Sequence, residues 1–401
     1  MSMVSSLARQ RKSRVTKLLL LAALCALLCI WLLRLADLRL LPVDDFVEYW
    51  AAGRLLLQGA NPYAPEQLLA LQKLQGWRDS RPDVFYSPPY VMPLVLVISV
   101  PSYQLARGLW LVGCLIATLV SSWSLWNLYG GPTQPRWCSQ VLAMTFIPTV
   151  FALAIGQIGP LILLGSVGFL AFAERRNWWR AGACVVLIAI KPQLLYLLLV
   201  AFLLWALSTR TWRALGGLVV TMSVSTALVL LLDPRVLGQY ARMVRAYPPS
   251  QFTTPTLGAL LRFGLDRSGF WLQFVPPLLG LGWFALYWRR HRTAWSWNQA
   301  APLLVLVSLV TTAYGWQHDL ITALIAVVAA FAWLRGAVLP RPLSVLLTLP
   351  FVAFNVLALV PVVLPANVFW MHLGLAPILL VWFLIVSRAV GNRRVAFHEP
   401  L

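Results

Sequence analysis

Charge is what this sequence lacks most: only 11% of its 401 residues are Asp, Glu, Lys or Arg, against about a quarter in a soluble domain. A chain so poor in charge cannot cover one water-soluble globule, and disorder, a collagen-like fibre and a coiled coil are excluded with it. Histidine is scarce too, with four residues, and the five cysteines form no C-x-x-C pair. Cys25, Cys29, Cys114 and Cys184 lie within apolar stretches, so they read as small packing residues; no disulfide scaffold, zinc site or haem site is indicated. No Walker loop, H-E-x-x-H, G-x-S-x-G or dinucleotide-binding fingerprint occurs. Nucleotide hydrolysis and redox chemistry therefore have no foothold.

What is abundant is apolar: 60% of the residues are hydrophobic and the mean hydropathy is +0.77. The chain reads as an all-α, polytopic integral membrane protein. Its formal charge of +20 falls in short runs between apolar stretches, the positive-inside pattern rather than a basic groove, so no nucleic-acid partner is expected. One membrane domain over 1–401 is predicted, with about 12–13 transmembrane or membrane-embedded helices.

Residues 1–17 form a basic, cytoplasmic N-terminus. The apolar run Leu18 to Leu33 reads as an uncleaved first helix, because Arg34 and Asp37 follow with no small-x-small cleavage site. Residues 37–87 form a first outer loop with an interfacial helix. Further spans are expected at about 106–128, 139–155, 158–173, 179–190, 194–208, 214–232, 270–288, 296–314, 320–334, 342–360 and 372–388. The run Pro88 to Val100 poses a parity problem, resolved by a dip, a flat segment or a crossing. Basic loops at Glu174 to Arg180, Arg210 to Arg213, Arg289 to Arg292, Arg335 to Arg341 and the 388–401 tail are placed in the cytoplasm. A second set is read as cation-poor and placed outside: Gly156-Gln157, Lys191-Pro192-Gln193, a second large loop at 233–269, Trp316 to Asp319, and Pro361 to Phe369.

Only twelve acids exist, and a charge in hydrocarbon costs at least about 2.5 kcal/mol. Asp44, Asp45, Glu48, Glu66, Asp79 and Asp83 all fall in the first outer loop. Asp45 with Glu48 reads as a capping box for a helix of about Phe46 to Gln58 closed by Gly59, its stripe of Phe46, Trp50, Gly53 and Leu57 lying in the interface. Capping is the reading the local pattern favours; it does not exclude a role for the same carboxylate as a general base at the mouth of a membrane cavity. Asp319 caps a late helix or, with His318, faces the same side as Asp45. Lys191, between two short apolar segments, either snorkels or meets an anion. Gln157 lies in a similar break, which a plain turn also explains.

The motifs Asp45-Phe46-x-x-Tyr49-x-Ala51-x-Gly53-Arg54, Gly59-x-Asn61-Pro62-Tyr63, Phe85-Tyr86-Ser87-Pro88-Pro89, Gly156-Gln157, Lys191-Pro192-Gln193 and Tyr314-x-Trp316-x-His318-Asp319-Leu320 resemble glycosyltransferase family 87. That is the DUF2029 group of GT-C membrane glycosyltransferases, similar to polyprenol-phosphate-mannose-dependent α-mannosyltransferases. The resemblance implies transfer of mannose or a related hexose from a polyprenyl-phosphate donor to a lipid-linked or envelope glycan acceptor. It places the reaction on the periplasmic or extracellular face of a bacterial inner membrane. It implies Asp45 as the base, Asp44 as its neighbour in that role, and Lys191 and His318 near the donor phosphate. Arg54 and Tyr63 match motif positions without a chemical step, and Tyr86, Gln157 and Asp319 match motifs of the substrate region. Where many members read Tyr-Pro-Pro this chain has Tyr86-Ser87-Pro88, and Ala313 stands where a proline usually precedes the late tyrosine. No cofactor is implied; whether a divalent ion assists is open. A transporter or flippase of lipid-linked sugars is the alternative, sharing the short broken segments, though no two related halves are visible.

Overall fold

The computed structural model describes residues 43–130, 136–248, 253–337, 339–363 and 372–396. The expected first span, the basic N-terminus and most of the stretch Pro361 to Phe369 lie outside them. Among the described residues every regular element is helical. We number the helices α1 (Phe46–Leu57), α2 (Pro65–Leu74), α3 (Met92–Ser99), α4 (Tyr103–Tyr129), α5 (Trp137–Thr145), α6 (Ile147–Ala154), α7 (Gly159–Glu174), α8 (Trp178–Ile188), α9 (Tyr196–Ser208), α10 (Trp212–Leu232), α11 (Val236–Ala246), α12 (Leu257–Gly264), α13 (Val275–His291), α14 (Trp297–Thr311), α15 (Leu324–Gly336), α16 (Arg341–Val363) and α17 (Leu375–Ala396).

Five helical stretches are long and apolar enough to cross a bilayer: Tyr103–Tyr129, Trp212–Leu232, Phe270–Ala294, Gln317–Gly336 and Pro342–Val360. α5 and α6 together make a sixth, bent by 68°. The bend has a chemical cause. Pro148 sits in the first turn of α6 and Phe146 is extended; Pro148 has no N–H for the Met144 carbonyl and its ring would clash with it, so one helix cannot run through, and the Ile147 N–H donates to the Asn355 side chain (2.8 Å). Shorter apolar helices supply the remaining expected segments. The Pro88 to Val100 run becomes a 3-10 turn, Pro89–Val91, and the eight-residue α3, well short of the ~20 residues of a crossing.

The chain divides into two compact units: one of residues 1–85 and 94–113, the other of 86–93 and 114–401. In the first, α1 is the hub. It is buried on nearly every side (Phe46, Val47, Tyr49, Trp50, Ala51, Ala52, Gly53, Leu55 and Leu56). The sequence predicts the helix and its end, where Gly59 takes φ +71°, the left-handed conformation glycine tolerates. It does not predict the burial: α1 is a core element rather than an amphipathic helix lying in an interface. Phe46 meets Tyr103 and Trp110, Tyr49 meets Trp110 and Phe85, and Trp50 meets Tyr103 edge-on. Six aromatic rings in one small unit supply contact area and edge-to-face attraction together.

In the second unit α15 forms the centre, with every residue from Leu324 to Ala330 buried. α10 is by contrast only 11% buried along its apolar window, the signature of a helix whose solvent is lipid. α8 and α10 approach closely because Gly182 sits against Ala214 and Gly217 against Trp179, a small-residue contact of the kind that joins membrane helices.

Candidate active site

In the first unit the two neighbouring aspartates have different surroundings. Asp44 is buried (8% exposed). Its Oδ2 accepts from Arg107 Nη2 at 2.7 Å, and both oxygens accept from Arg107 Nε at 3.2 Å. Asp44 Oδ1 also accepts the Phe46 N–H at 3.2 Å, satisfying an otherwise orphaned first-turn donor of α1. Burial raises the Asp44 carboxyl above its ordinary value, and the Arg107 guanidinium offsets that rise only in part. The Asp45 side chain makes no capping hydrogen bond, so the expected Asp45–Glu48 capping box does not form: the carboxylate that caps α1 is Asp44. Asp45, at the helix N-cap, is half-buried.

Arg54 and Tyr63 serve the packing of the same unit. Arg54 Nη1 donates to the carbonyls of Ser99 (3.4 Å) and Val100 (3.2 Å) at the end of α3, where free helical carbonyls favour a cation. Tyr63 is buried (1% exposed) and stacks on Phe85 with centroids 5.7 Å apart.

In the second unit three helix breaks converge. Gly156, at φ +70°, turns the chain between α6 and α7 and presents Gln157. Lys191, with φ −124° and ψ 75°, sits between α8 and a short 3-10 turn that leads into α9. A further 3-10 segment, Gln317–Ala323, precedes α15 and carries Asp319. Lys191 Nζ donates to Asp319 Oδ1 at 2.9 Å and to Gln157 Oε1 at 3.0 Å. Asp319 Oδ2 accepts the Trp316 N–H at 2.9 Å, and His318 Nε2 lies 3.7 Å from Asp319 Oδ1. The Asp319 side chain is 4% exposed, whereas that of Lys191 is 21% exposed. A buried carboxylate thus holds an ammonium that still reaches the surface. Lys191 does not snorkel away from the bundle; it is tied into it. Irregular backbone at membrane depth is tolerated where protein or a cavity satisfies it, and these breaks satisfy one another.

Asp319 also lines a small hollow. Its other walls include Leu309, Leu320, Thr312, Trp316 and His372, an apolar cleft with a few polar groups, as ligand sites tend to be. Tyr86 belongs to another part of the unit: its hydroxyl donates to the Tyr247 carbonyl at 3.1 Å, and its own carbonyl accepts from Tyr240 at 3.4 Å. Among the described residues no group of three or more His, Cys, Asp or Glu could hold a metal ion.

Sequence reasoning missed Arg107 and His372. A signal for Arg107 existed: it is a lone cation at the start of the expected 106–128 span, and such a charge usually has a partner. Nothing local marks His372.

These features define a multi-pass membrane protein with a charged, hydrogen-bonded cluster built from helix breaks. The model of glycosyltransferase family 87 matches residues 85–312, more than half of the chain, and the chain belongs to that family. It is a membrane glycosyltransferase. Among solved structures it is similar to ArnT from Cupriavidus metallidurans, crystallised bound to undecaprenyl phosphate. The identity is 16% and the TM-score 0.48, over 93% of this chain and 72% of that one. No curated protein matches the chain.

Proposed function

We propose that this glycosyltransferase moves mannose or a related hexose from a polyprenyl-phosphate donor to a lipid-linked or envelope glycan acceptor, on the periplasmic or extracellular side of a bacterial inner membrane. The observation that carries the reading is the Lys191–Gln157–Asp319 cluster. A partly accessible ammonium held by a buried carboxylate is a preorganised partner for a phosphate. The hollow beside Asp319 is lined mainly by apolar side chains, the chemistry an isoprenoid-linked donor calls for. His318, 3.7 Å from Asp319, adds a second donor near the same group.

In the proposed reaction the acceptor hydroxyl attacks the anomeric carbon. The new carbon–oxygen bond forms as the bond to the phosphate oxygen breaks, with inversion. The hydroxyl proton passes to Asp45, and the bonding electron pair leaves on the polyprenyl phosphate, whose charge Lys191 offsets. Positive charge on the sugar ring builds up on the way, as in glycoside chemistry generally. Of the two candidate bases, Asp45 is favoured because it matches the motif position of the family's essential aspartate and is the less buried of the pair.

The test is a reconstitution of the purified protein in lipid with polyprenyl-phosphate mannose, polyprenyl-phosphate glucose and a nucleotide sugar as separate donors. Consumption of a polyprenyl-phosphate sugar alone is expected. Consumption of the nucleotide sugar instead would overturn the donor class. Asp45→Asn should lower turnover by at least about a hundredfold with unchanged expression. Lys191→Ala should raise the donor KM more than it lowers kcat. Near-normal turnover in Asp45→Asn would remove it as the base.

A further inference from the structure

The connection between α10 and α13 carries more cations than its place among the cation-poor loops implies. Over residues 233–269 it has Arg235, Arg242, Arg245, Arg262 and Arg267 against Asp233 and Asp266. Both acids are spent locally. Asp233 accepts from the Arg235 N–H (2.9 Å), Arg235 Nε (3.1 Å) and Gln239 Nε2 (2.6 Å). Asp266 accepts from the Ser268 hydroxyl (2.6 Å) and N–H (2.9 Å).

This connection lies on the membrane face opposite the Arg210–Arg213 and Arg289–Arg292 ends, because Trp212–Leu232 and Phe270–Ala294 are each long enough to cross. Basic residues normally gather on one face. Five arginines on the other face therefore ask for a reason.

Their setting supplies one. In α11, Val236, Gln239 and Met243 are buried, while Arg235, Arg242 and Arg245 are exposed; the spacing of seven and three residues puts the three arginines on one stripe. Arg242 runs along Gly238, where an added Cβ would lie 3.6 Å from its Nη1. In and after α12, Arg267 sits over the Phe263 ring at 5.3 Å and Arg262 over Phe270 at 5.4 Å. Around them stand exposed apolar side chains: Leu260 (43%), Leu265 (74%), Trp271 (67%) and Phe274 (42%). Exposed aromatics and leucines interleaved with arginines are the composition of a segment lying at the boundary between acyl chains and headgroups.

We propose that α11 and the α12 segment form a leaflet-facing surface that binds the phosphate headgroups of anionic phospholipids. The apolar side chains enter the acyl boundary while Arg242, Arg245 and Arg267 meet the headgroups. Exposed cations near an anionic leaflet gain from each phosphate they approach, and arginine's planar fork suits phosphate oxygens.

The experiment measures the association of spin-labelled phosphatidylglycerol relative to spin-labelled phosphatidylcholine with the full-length protein in vesicles. A preference for phosphatidylglycerol is expected, falling roughly three- to fivefold in Arg242→Gln/Arg245→Gln/Arg267→Gln, whose thermal stability in pure phosphatidylcholine matches the wild type. An unchanged preference in a folded triple variant would overturn the proposal. Should the variant not fold, a photoactivatable phosphatidylglycerol analogue applied to the wild type decides. Cross-links mapping to 235–274 support the surface, and cross-links confined to other segments overturn it.

Discussion

At the scale of single residues, the informative contrast is between two adjacent acids. Asp44 and Asp45 are indistinguishable as letters in a sequence, and each is a reasonable base. What separates them is Arg107, 63 positions away, which engages Asp44 with two nitrogens in a site where both side chains are nearly inaccessible (2% and 7%). Breaking such a pair by removing one partner leaves a charge buried without compensation, at a cost of about 3–5 kcal/mol. Asp44→Asn is therefore expected to lower the thermal unfolding temperature markedly, and by more than Asp45→Asn, because Asp45 is the less buried of the two. Joint replacement of Asp44 and Arg107 by leucine should recover much of the loss, since both charges then vanish together. Differential scanning fluorimetry in detergent reads all three variants. Equal unfolding temperatures for Asp44→Asn and wild type would mean that the pair does not support the fold. The same reasoning shows what a sequence reveals at this scale. Rare acids and a lone lysine in apolar surroundings can be picked out from the composition, because their burial is expensive. Their partners cannot, because Lys191 finds Asp319 across 128 positions and Gln157 across 34, distances that only the threading of the bundle closes.

At the scale of elements, the apolar runs were legible nearly to the residue. The run at about 106–128 became Tyr103–Tyr129, 214–232 became Trp212–Leu232, and 320–334 became the helical stretch Gln317–Gly336. Length and hydropathy dictate these helices because hydrocarbon leaves the backbone no partner but itself. What the pattern did not reveal was which face of each helix meets protein, and α1 shows why. Its apolar stripe looked like that of a surface helix, yet Tyr49, Ala51, Ala52, Leu55 and Leu56 are buried as well, because aromatic residues distant in sequence close over it. Glycine positions carry the missing information. In α8, a Cβ on Gly182 would stand 1.9 Å from the Ala214 carbonyl oxygen and 2.8 Å from its carbon. The obstacle is backbone, which cannot rotate aside, so the two helices would have to part. Gly182→Ala should thus cost about 1–3 kcal/mol by overpacking, seen as a lower unfolding temperature. Gly282→Ala, with open space around the added methyl, should be neutral or slightly stabilising. Indistinguishable behaviour of the two variants would show that α8 and α10 are not held at this separation.

At the scale of the whole molecule, the distribution of charge between the two membrane faces decides where the chemistry can occur, and one helix pair is enough to test it. Trp212–Leu232 rises about 30 Å at 1.5 Å per residue, matching the hydrocarbon thickness, and only 11% of its apolar window is buried against the rest of the protein. Arg210 and Arg213 mark one end of it; Asp233 marks the other. The return helix ends in Arg289, Arg290, His291 and Arg292, so both basic ends fall together on the face that the positive-inside pattern assigns to the cytoplasm. On that assignment residues 233–269 are expected on the opposite face, the one on which the proposed donor lipid is used. In a background with all five cysteines replaced, Thr209→Cys and Ser268→Cys place one thiol at each end, both at exposed positions. A membrane-impermeant maleimide added to intact spheroplasts is expected to label Ser268→Cys and to spare Thr209→Cys until the membrane is opened. The reverse pattern would turn the molecule over, placing the arginines of α11 in the cytoplasm. It would remove the charge anomaly on which the phospholipid surface was argued, and it would require the sugar donor to be met on the cytosolic leaflet.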